Sequence, residues 1–254
     1  MTIATSDSGG GAGIQADLKA FAAAGVFGTS ALVALTAQST VGVTAVHELP
    51  SDFVVTQLDA VNDDIGVDAA KTGMLFSARL VDTVAGWLEE HRLPLVVDPV
   101  MVASSGAVLL QEDAVDALVG RLFPLAVVVT PNLAEAEALT GLRGASRREL
   151  AERLHELGAP AALVTGGHGE EPVDHLFDGR DHVEIPVERH AVAATHGAGC
   201  THSATLAAGL ARGLPLVDAA RTAARAASTA VRHGLVEIGA GDGPVDVLNV
   251  RGAA

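Results

Sequence analysis

The chain has 254 residues, of which 49% are hydrophobic and 19% are charged, so it is too apolar to be disordered and long enough to bury a large core. Its 16 basic and 31 acidic residues give a formal net charge of -15, which argues against nucleic acid or an anionic membrane as a partner. One cysteine excludes a disulfide framework within the chain and any multi-cysteine metal site. No signal peptide or membrane-spanning run can be read, and we therefore expect a reducing, cytoplasmic location.

Short β-branched runs alternate with longer amphipathic segments along the chain. A first strand is expected to be short, because Ile3 and Ala4 are almost all that precedes Ser6. Further strands are predicted over residues 29–37, 68–74, 93–100, 125–131, 161–166, 174–177 and 182–187. Helices are predicted over residues 13–24, 52–64, 77–91, 112–122, 133–140, 146–157, 199–212 and 216–233. This alternation predicts an α/β fold with helices on both faces of a mostly parallel sheet, and an Asp178-Gly179 turn predicts a hairpin between the last two strands.

Polar clusters that directly follow strands are the candidate functional residues, because ligands of open parallel sheets bind at the carboxyl ends of the strands. Five such clusters are present, at residues 6–13, 98–101, 130–135, 165–168 and 195–200.

The last cluster contains Gly197, Ala198, Gly199 and Cys200, and it precedes a helix rich in Ala and Leu. Two glycines permit a tight turn in which successive N–H groups converge on an anion at the helix N-terminus. Cys200 would feel the same field, which favours a thiolate that can act as a base or activate a hydroxyl group. The alternative is a helix entry with a buried, inert cysteine.

Carboxylates in two other clusters suit a metal ion. Asn132 and Glu135 follow a strand and begin a helix, where they suit Mg²⁺ held largely through water beside nucleotide phosphates; simple N-capping by Asn132 is the alternative. Asp98 supplies a second carboxylate at the same sheet edge, or serves as a turn residue. The glycine run at residues 9–13 matches neither a Walker A loop nor a dinucleotide fingerprint, and either lets a small flat ligand approach the backbone or forms a flexible turn.

In this order, the motifs resemble those of the bacterial hydroxymethylpyrimidine/phosphomethylpyrimidine kinases of thiamine biosynthesis, in the ribokinase-like superfamily. The resemblance covers nearly the whole chain. Its segments are SDSGGGAGIQADLK (6–19), TAQST (36–40), KTGML (71–75), DPVMV (98–102), TPNLAE (130–135), GGH (166–168), THGAGCT (195–201) and GDGPV (241–245).

The resemblance implies one three-layer α/β/α, ribokinase-like domain over residues 1–254, and a homodimer. It implies MgATP as the phosphoryl donor and the small molecule 4-amino-5-hydroxymethyl-2-methylpyrimidine as the acceptor, phosphorylated first on its hydroxymethyl group and then on the resulting monophosphate. Cys200 stands where related sugar kinases have an aspartate base. The other implied roles are an anion hole at Gly197, Ala198 and Gly199, Mg²⁺ ligation by Asp98 and Glu135, ATP contacts from Asn132, Thr165 and Gly167, and pyrimidine contacts from Gln38, Ala12, Met74 and Val100.

Four residues depart from the pattern of the family. Thr5 stands where the family usually has glycine, Ala198 where it has threonine, and His202 where it has an apolar residue. Thr165 stands where a lysine is common, which removes a cation expected near the phosphates. Two other interpretations therefore stay open: a pyridoxal or pyridoxine kinase of the same superfamily, against which Gln38 and the Met74 position argue, and a catalytically weakened ligand-binding protein.

Overall fold

The computed structural model describes residues 1–101, 112–167 and 172–251. Its strands are β1 (Thr2–Asp7), β2 (Ser30–Ser39), β3 (Gly42–Glu48), β4 (Ala70–Thr72), β5 (Leu95–Val97), β6 (Val128–Val129), β7 (Ala162–Val164), β8 (Val173–Phe177) and β9 (His182–Pro186). Its α-helices are α1 (Gly13–Ala23), α2 (Ser51–Asp64), α3 (Ala78–Glu90), α4 (Glu112–Ala117), α5 (Leu133–Thr140), α6 (Arg147–Glu156), α7 (Ala198–Ala211) and α8 (Leu216–Arg232). Val102 and His168, which belong to two of the matched motifs, lie outside the described residues.

All nine strands form one sheet in the order β3-β2-β1-β4-β5-β6-β7-β8-β9. The six central strands, β2, β1, β4, β5, β6 and β7, pair in parallel with their neighbours, whereas β3, β8 and β9 pair antiparallel at the two edges. The carboxyl ends of the parallel strands therefore lie along one edge of the sheet, and the loops that follow them meet there. The predicted hairpin is confirmed as β8 and β9.

Helices cover both faces of the sheet because successive strand residues point in opposite directions. In β5, Leu95 and Val97 belong to the core under α2 to α6, whereas Val96 belongs to the core under α1, α7 and α8. This arrangement confirms the predicted three-layer α/β/α architecture with a mostly parallel sheet. No helix within the described ranges is long and apolar enough to cross a membrane.

Three elements differ from the predictions. Strand β1 is six residues long rather than short, since its polar side chains are buried with partners: Thr2 Oγ1 donates a hydrogen bond of 2.6 Å to Asp17 Oδ2. Strand β3 was not predicted, and β2 runs on to Ser39 beside it. The predicted helix over residues 112–122 begins as α4 and continues as a π-helical turn, Leu118–Leu122.

Candidate active site

A pocket of about 400 Å³ lies along the edge where the parallel strands end. Every residue predicted to serve in the site contributes to its wall: Ala12, Gln38, Met74, Asp98, Val100, Asn132, Glu135, Thr165, Gly167, Gly197, Ala198, Gly199 and Cys200. The structure thus brings together residues from both ends and the middle of the chain, and their individual roles stay predictions.

The turn before α7 has the geometry that its glycines predict. Gly197 has φ 84°, the left-handed region, and a Cβ atom there would collide with the carbonyl oxygen of Gly11. The two glycine loops are therefore in backbone contact, and only glycine fits at this position. The Ala198 N–H donates to the Thr195 carbonyl at 3.0 Å, so Gly199 and Cys200 carry the first-turn donors that lack an intrahelical acceptor.

A buried network of charges lies beneath this turn. Lys71 Nζ is 2.9 Å from Asp17 Oδ1 and 3.6 Å from Asp98 Oδ2, and the Lys71 and Asp17 side chains are fully buried. Burial lowers the pKa of Lys71, but the carboxylates of Asp17 foremost and of Asp98 outweigh burial and raise that pKa, so the ammonium stays charged. Ser203 Oγ donates to Asp98 Oδ2 at 2.7 Å. Lys71 and Ser203 therefore both hold the Asp98 carboxylate in place through its Oδ2 atom.

The protonation state of Cys200 differs from the prediction. Burial raises the pKa of the thiol to about 12, although Lys71 and the Gly13 N–H lower it. At neutral pH the side chain is therefore a thiol and not the thiolate that the helix N-terminus was expected to favour. Burial, with the nearby carboxylates of Asp17 and Asp98, therefore outweighs the groups that favour the thiolate.

Asn132 caps helix α5, as one of the two interpretations of the sequence expected, and the metal role of Glu135 stays a prediction. They form a capping box: Asn132 Oδ1 accepts from the Glu135 N–H at 3.0 Å, and Glu135 Oε2 accepts from the Asn132 N–H at 2.9 Å. Burial and then the nearby Asp98 raise the pKa of Glu135 to about 8, although the N–H groups of Asn132 and Met101 lower it. Two adjacent buried carboxylates suit a cation that neutralises both. They fit Mg²⁺, which uses one or two carboxylates with water and phosphate.

The opposite end of the pocket is built around Asp7, which the prediction did not single out. Its carboxylate accepts from the N–H groups of Gly9, Gly11 and Ala12 at 2.7 to 2.9 Å and lies 3.2 Å from His196 Nε2. Burial raises the pKa of Asp7, but His196 and the backbone donors outweigh burial and lower it. Asp7 therefore holds the glycine run beside Gln38. Its position directly before that run was the sequence feature that could have identified it as a residue of the site.

Thr5 also has a structural explanation. Its Oγ1 donates to the Met74 carbonyl at 3.1 Å, and the residue is buried in the pocket wall. The hydroxyl group thus links β1 to the loop after β4 without an unpaired donor.

The nucleotide end of the predicted site has one more unpredicted component. Asn132 and Thr165 form a β-bridge between the loops after β6 and β7. The Gly166 N–H donates to Asp174 Oδ1 at 2.6 Å, and His202 Nε2 lies 3.0 Å from Asp174 Oδ2. No local sequence pattern predicts the Asp174–His202 pair, because the two residues belong to different elements, β8 and α7, and are 28 positions apart.

Comparison with known proteins shows which family this chain is similar to. A family model described as phosphomethylpyrimidine kinase matches residues 7–246. The hydroxymethylpyrimidine/phosphomethylpyrimidine kinase of Rhizobium meliloti (strain 1021) is 49% identical over 252 residues, which are 96% of this chain and 95% of that protein. The thiamine biosynthesis bifunctional protein ThiED of Geobacter sulfurreducens is 50% identical over 97% of this chain and 51% of that protein.

A solved structure extends the likeness to the fold. An ADP complex of Bacillus subtilis pyridoxal kinase superposes with a TM-score of 0.89 at 37% identity, covering 98% of this chain and 97% of that one. The fold and the convergent loops are those of a ribokinase-like small-molecule kinase. Within that class, the chain belongs to the phosphomethylpyrimidine kinase family, and the predicted resemblance is confirmed.

Proposed function

We propose that this kinase transfers the γ-phosphoryl group of ATP to the hydroxymethyl oxygen of 4-amino-5-hydroxymethyl-2-methylpyrimidine, and in a second turnover to the phosphate of the monophosphate, as a step of thiamine biosynthesis. One observation carries the proposal: a single pocket contains the predicted pyrimidine contacts around Gln38, the Gly197–Cys200 turn, and the carboxyl groups of Asp98 and Glu135. The names of the relatives support the acceptor.

The pyrimidine is proposed to lie at the Asp7 end of the pocket. Gln38 offers hydrogen-bonding groups to the amino-substituted ring, and Ala12, Met74 and Val100 supply apolar surface around it. The hydroxymethyl group then faces Cys200. The acceptor oxygen attacks the γ-phosphorus, the bond from that phosphorus to the bridging oxygen of ADP breaks, and the hydroxyl proton passes to Sγ of Cys200, which must first have lost its own proton to solvent.

The donor is proposed to lie along the opposite half of the pocket. Asn132, Thr165 and Gly167 border the nucleotide, and the first-turn N–H groups of α7 face the transferring phosphoryl group, whose charge they stabilise. Asp98 and Glu135 would hold Mg²⁺, whose charge would stabilise the phosphate oxygens during transfer.

An ADP-formation assay with purified protein tests the proposal. We expect turnover with the hydroxymethylpyrimidine and with its monophosphate, and its loss when EDTA removes Mg²⁺. Gly197→Ala protein serves as the control for contaminating phosphatases, since the turn cannot accept a Cβ atom. Failure of both pyrimidines to support turnover would refute the proposal.

Pyridoxal is the second candidate acceptor, because the superposed Bacillus subtilis enzyme is a pyridoxal kinase and pyridoxal also carries a hydroxymethyl group. The same assay with pyridoxal measures that activity. Binding without turnover for every acceptor would identify a ligand-binding homologue instead.

A homodimer, a cytoplasmic location and a single domain over residues 1–254 belong to the same proposal. The resemblance to the family supports the dimer and the single domain, and the lone cysteine supports a reducing compartment. Light scattering of the purified protein tests the dimer.

A further inference from the structure

Asp174 is a buried carboxylate in the wall of the pocket. It is 2% exposed, and its two oxygens have different partners: Oδ1 accepts from the Gly166 N–H at 2.6 Å, and Oδ2 faces His202 Nε2 at 3.0 Å. Gly166 immediately follows Thr165, so the carboxylate lies beside the turn where the nucleotide is proposed to bind.

His202 has one ring nitrogen left for a ligand. A carboxylate oxygen can only accept a hydrogen bond, so Nε2 carries the proton in the contact with Asp174. The residue is 5% exposed and lines the pocket, and its Nδ1 is buried without a hydrogen-bond partner. An unpartnered buried polar atom carries a free-energy cost that a bound group can remove.

The pocket carries more negative than positive side chains. Its wall contains six carboxylates: Asp7, Asp98, Glu135, Asp174, Glu188 and Asp242. Of the lysine and arginine side chains in that wall, Lys71 is fully buried and paired with Asp17, and Arg189 Nη2 donates to the Gly166 carbonyl at 3.1 Å. An unneutralised Asp174 would repel a nucleotide polyphosphate at the Gly166 turn.

We propose that His202 is a nucleotide-binding cation: Asp174 holds its imidazolium through Nε2, and Nδ1 donates to a phosphate oxygen of the bound nucleotide. The proposal rests on the proposed use of ATP. In this chain helix α7 adds a positive charge to that of Arg189 at the nucleotide wall, in place of a cation at Thr165. The imidazolium neutralises Asp174 and at the same time gives the orphan Nδ1–H a charged acceptor.

Calorimetric titration of His202→Gln protein tests the assignment. Glutamine keeps a donor for Asp174 but carries no charge. We expect the affinity for AMP-PCP with Mg²⁺ to fall about tenfold or more, and the affinity for adenosine, which has no phosphates, to stay unchanged. His175→Gln is the matched control, because His175 is a buried histidine on the neighbouring β8 position whose partner is His182; it should bind both ligands as the wild type does.

A second variant tests whether the loss of positive charge causes the loss of AMP-PCP affinity. Thr165→Lys in the His202→Gln background returns a cation to the residue next to Gly166, and we expect it to restore AMP-PCP affinity to within about threefold of wild type. Equal affinity of His202→Gln and wild type for AMP-PCP, a parallel loss of adenosine affinity, or a double variant as weak as the single one would each overturn the assignment.

These titrations contain no acceptor, so they are independent of the reaction itself. Wild-type protein that phosphorylates the pyrimidine while His202→Gln binds AMP-PCP normally would refute this inference alone. Wild-type protein that turns over no acceptor would refute the proposed function.

Discussion

Cys200 faces two acceptors of different acidity in the proposed reactions. The first acceptor is an alcohol, which must lose a proton as its oxygen becomes bonded to phosphorus. The second is a phosphate monoester whose second pKa is about 6, so its oxygen is already ionised at neutral pH. A group that receives a proton therefore matters to the first transfer and is dispensable in the second.

We predict that Cys200→Ala lowers kcat with the hydroxymethylpyrimidine by roughly 100-fold or more, as expected for loss of general base catalysis, and lowers kcat with the monophosphate by less than about tenfold. KM for both acceptors should change little. Steady-state kinetics with each acceptor separately make the comparison. Equal losses would assign Cys200 a positioning role, and an unchanged kcat would leave it a packing residue.

We predict that the ionised Glu135 carboxylate lowers the stability of the fold and strengthens Mg²⁺ binding. Its pKa is raised to about 8, above the ordinary value near 4.5, so ionisation of this carboxyl opposes folding and the penalty grows as pH rises from about 4.5 to about 8. Glu135→Gln keeps an acceptor for the Asn132 N–H. Without Mg²⁺ we expect its Tm to equal that of the wild type at pH 4.5 and to exceed it increasingly up to pH 8.5.

The same variant should need more Mg²⁺ for half-maximal activity, because one ligand has lost its charge. Differential scanning calorimetry over this pH range and a Mg²⁺ titration of turnover give the two results. A Tm advantage that shrinks with rising pH would contradict the buried-carboxylate account.

Sequence patterns located the site residues better than they predicted their chemistry. The positions of Gly197, Asp98 and Glu135 in the pocket could be predicted, because each residue lies directly after or before a recognisable element. The Cys200 thiol was expected to ionise, since only its own helix could be considered. The pKa of the thiol depends on burial and on the charges and hydrogen bonds of Lys71, Asp17 and Gly13, which lie more than 120 positions away in the sequence, so no local pattern could reveal it.

Helices α7 and α8 pack against each other at a position where only glycine fits. A Cβ atom on Gly209 of α7 would lie 2.9 Å from the Ala219 Cβ of α8, closer than carbon atoms approach without displacement. We predict that Gly209→Ala costs about 1–3 kcal/mol, which lowers Tm by about 2–4 °C per kcal/mol in a chain of this size.

Gly86 of α3 provides the matched control. A Cβ atom there meets nothing within 4 Å, so Gly86→Ala should raise stability by up to about 1 kcal/mol through helix propensity alone. Thermal unfolding of both variants tests the pair. Destabilisation of both would mean that neither effect is specific to the contact between α7 and α8.

Element prediction succeeded where burial follows apolar periodicity and failed where it does not. The helices and central strands follow that periodicity and were found within a few residues of their bounds. Strand β1 was expected to be short because Ile3 and Ala4 are almost all that precedes Ser6. It also includes the polar residues Thr2, Thr5 and Asp7, whose side chains are buried with hydrogen-bond partners. Strand β3 is a half-exposed edge strand, and its pattern resembles that of a loop.

At the scale of the whole molecule, the formal net charge of -15 repels an anionic substrate before any contact forms. Salt screens this repulsion, because the Debye length falls to about 8 Å at 0.15 M ionic strength. We predict that kcat/KM for MgATP rises when tetramethylammonium chloride is increased from about 20 to 150 mM. A cation too large for small sites separates screening from specific binding, and a falling kcat/KM would mean that local cations of the pocket dominate.

The contact between the Gly11 and Gly197 loops joins residues near opposite ends of the sequence; Asp7 and His196, which pair across it, are 189 positions apart. At a synthesis rate of about 5–20 residues per second, roughly ten seconds or more pass between the appearance of the first loop and of the second. During that time the growing chain has no complete place for a phosphoryl donor and acceptor to meet. The pocket therefore cannot be complete before the loop at Gly197 has been synthesised.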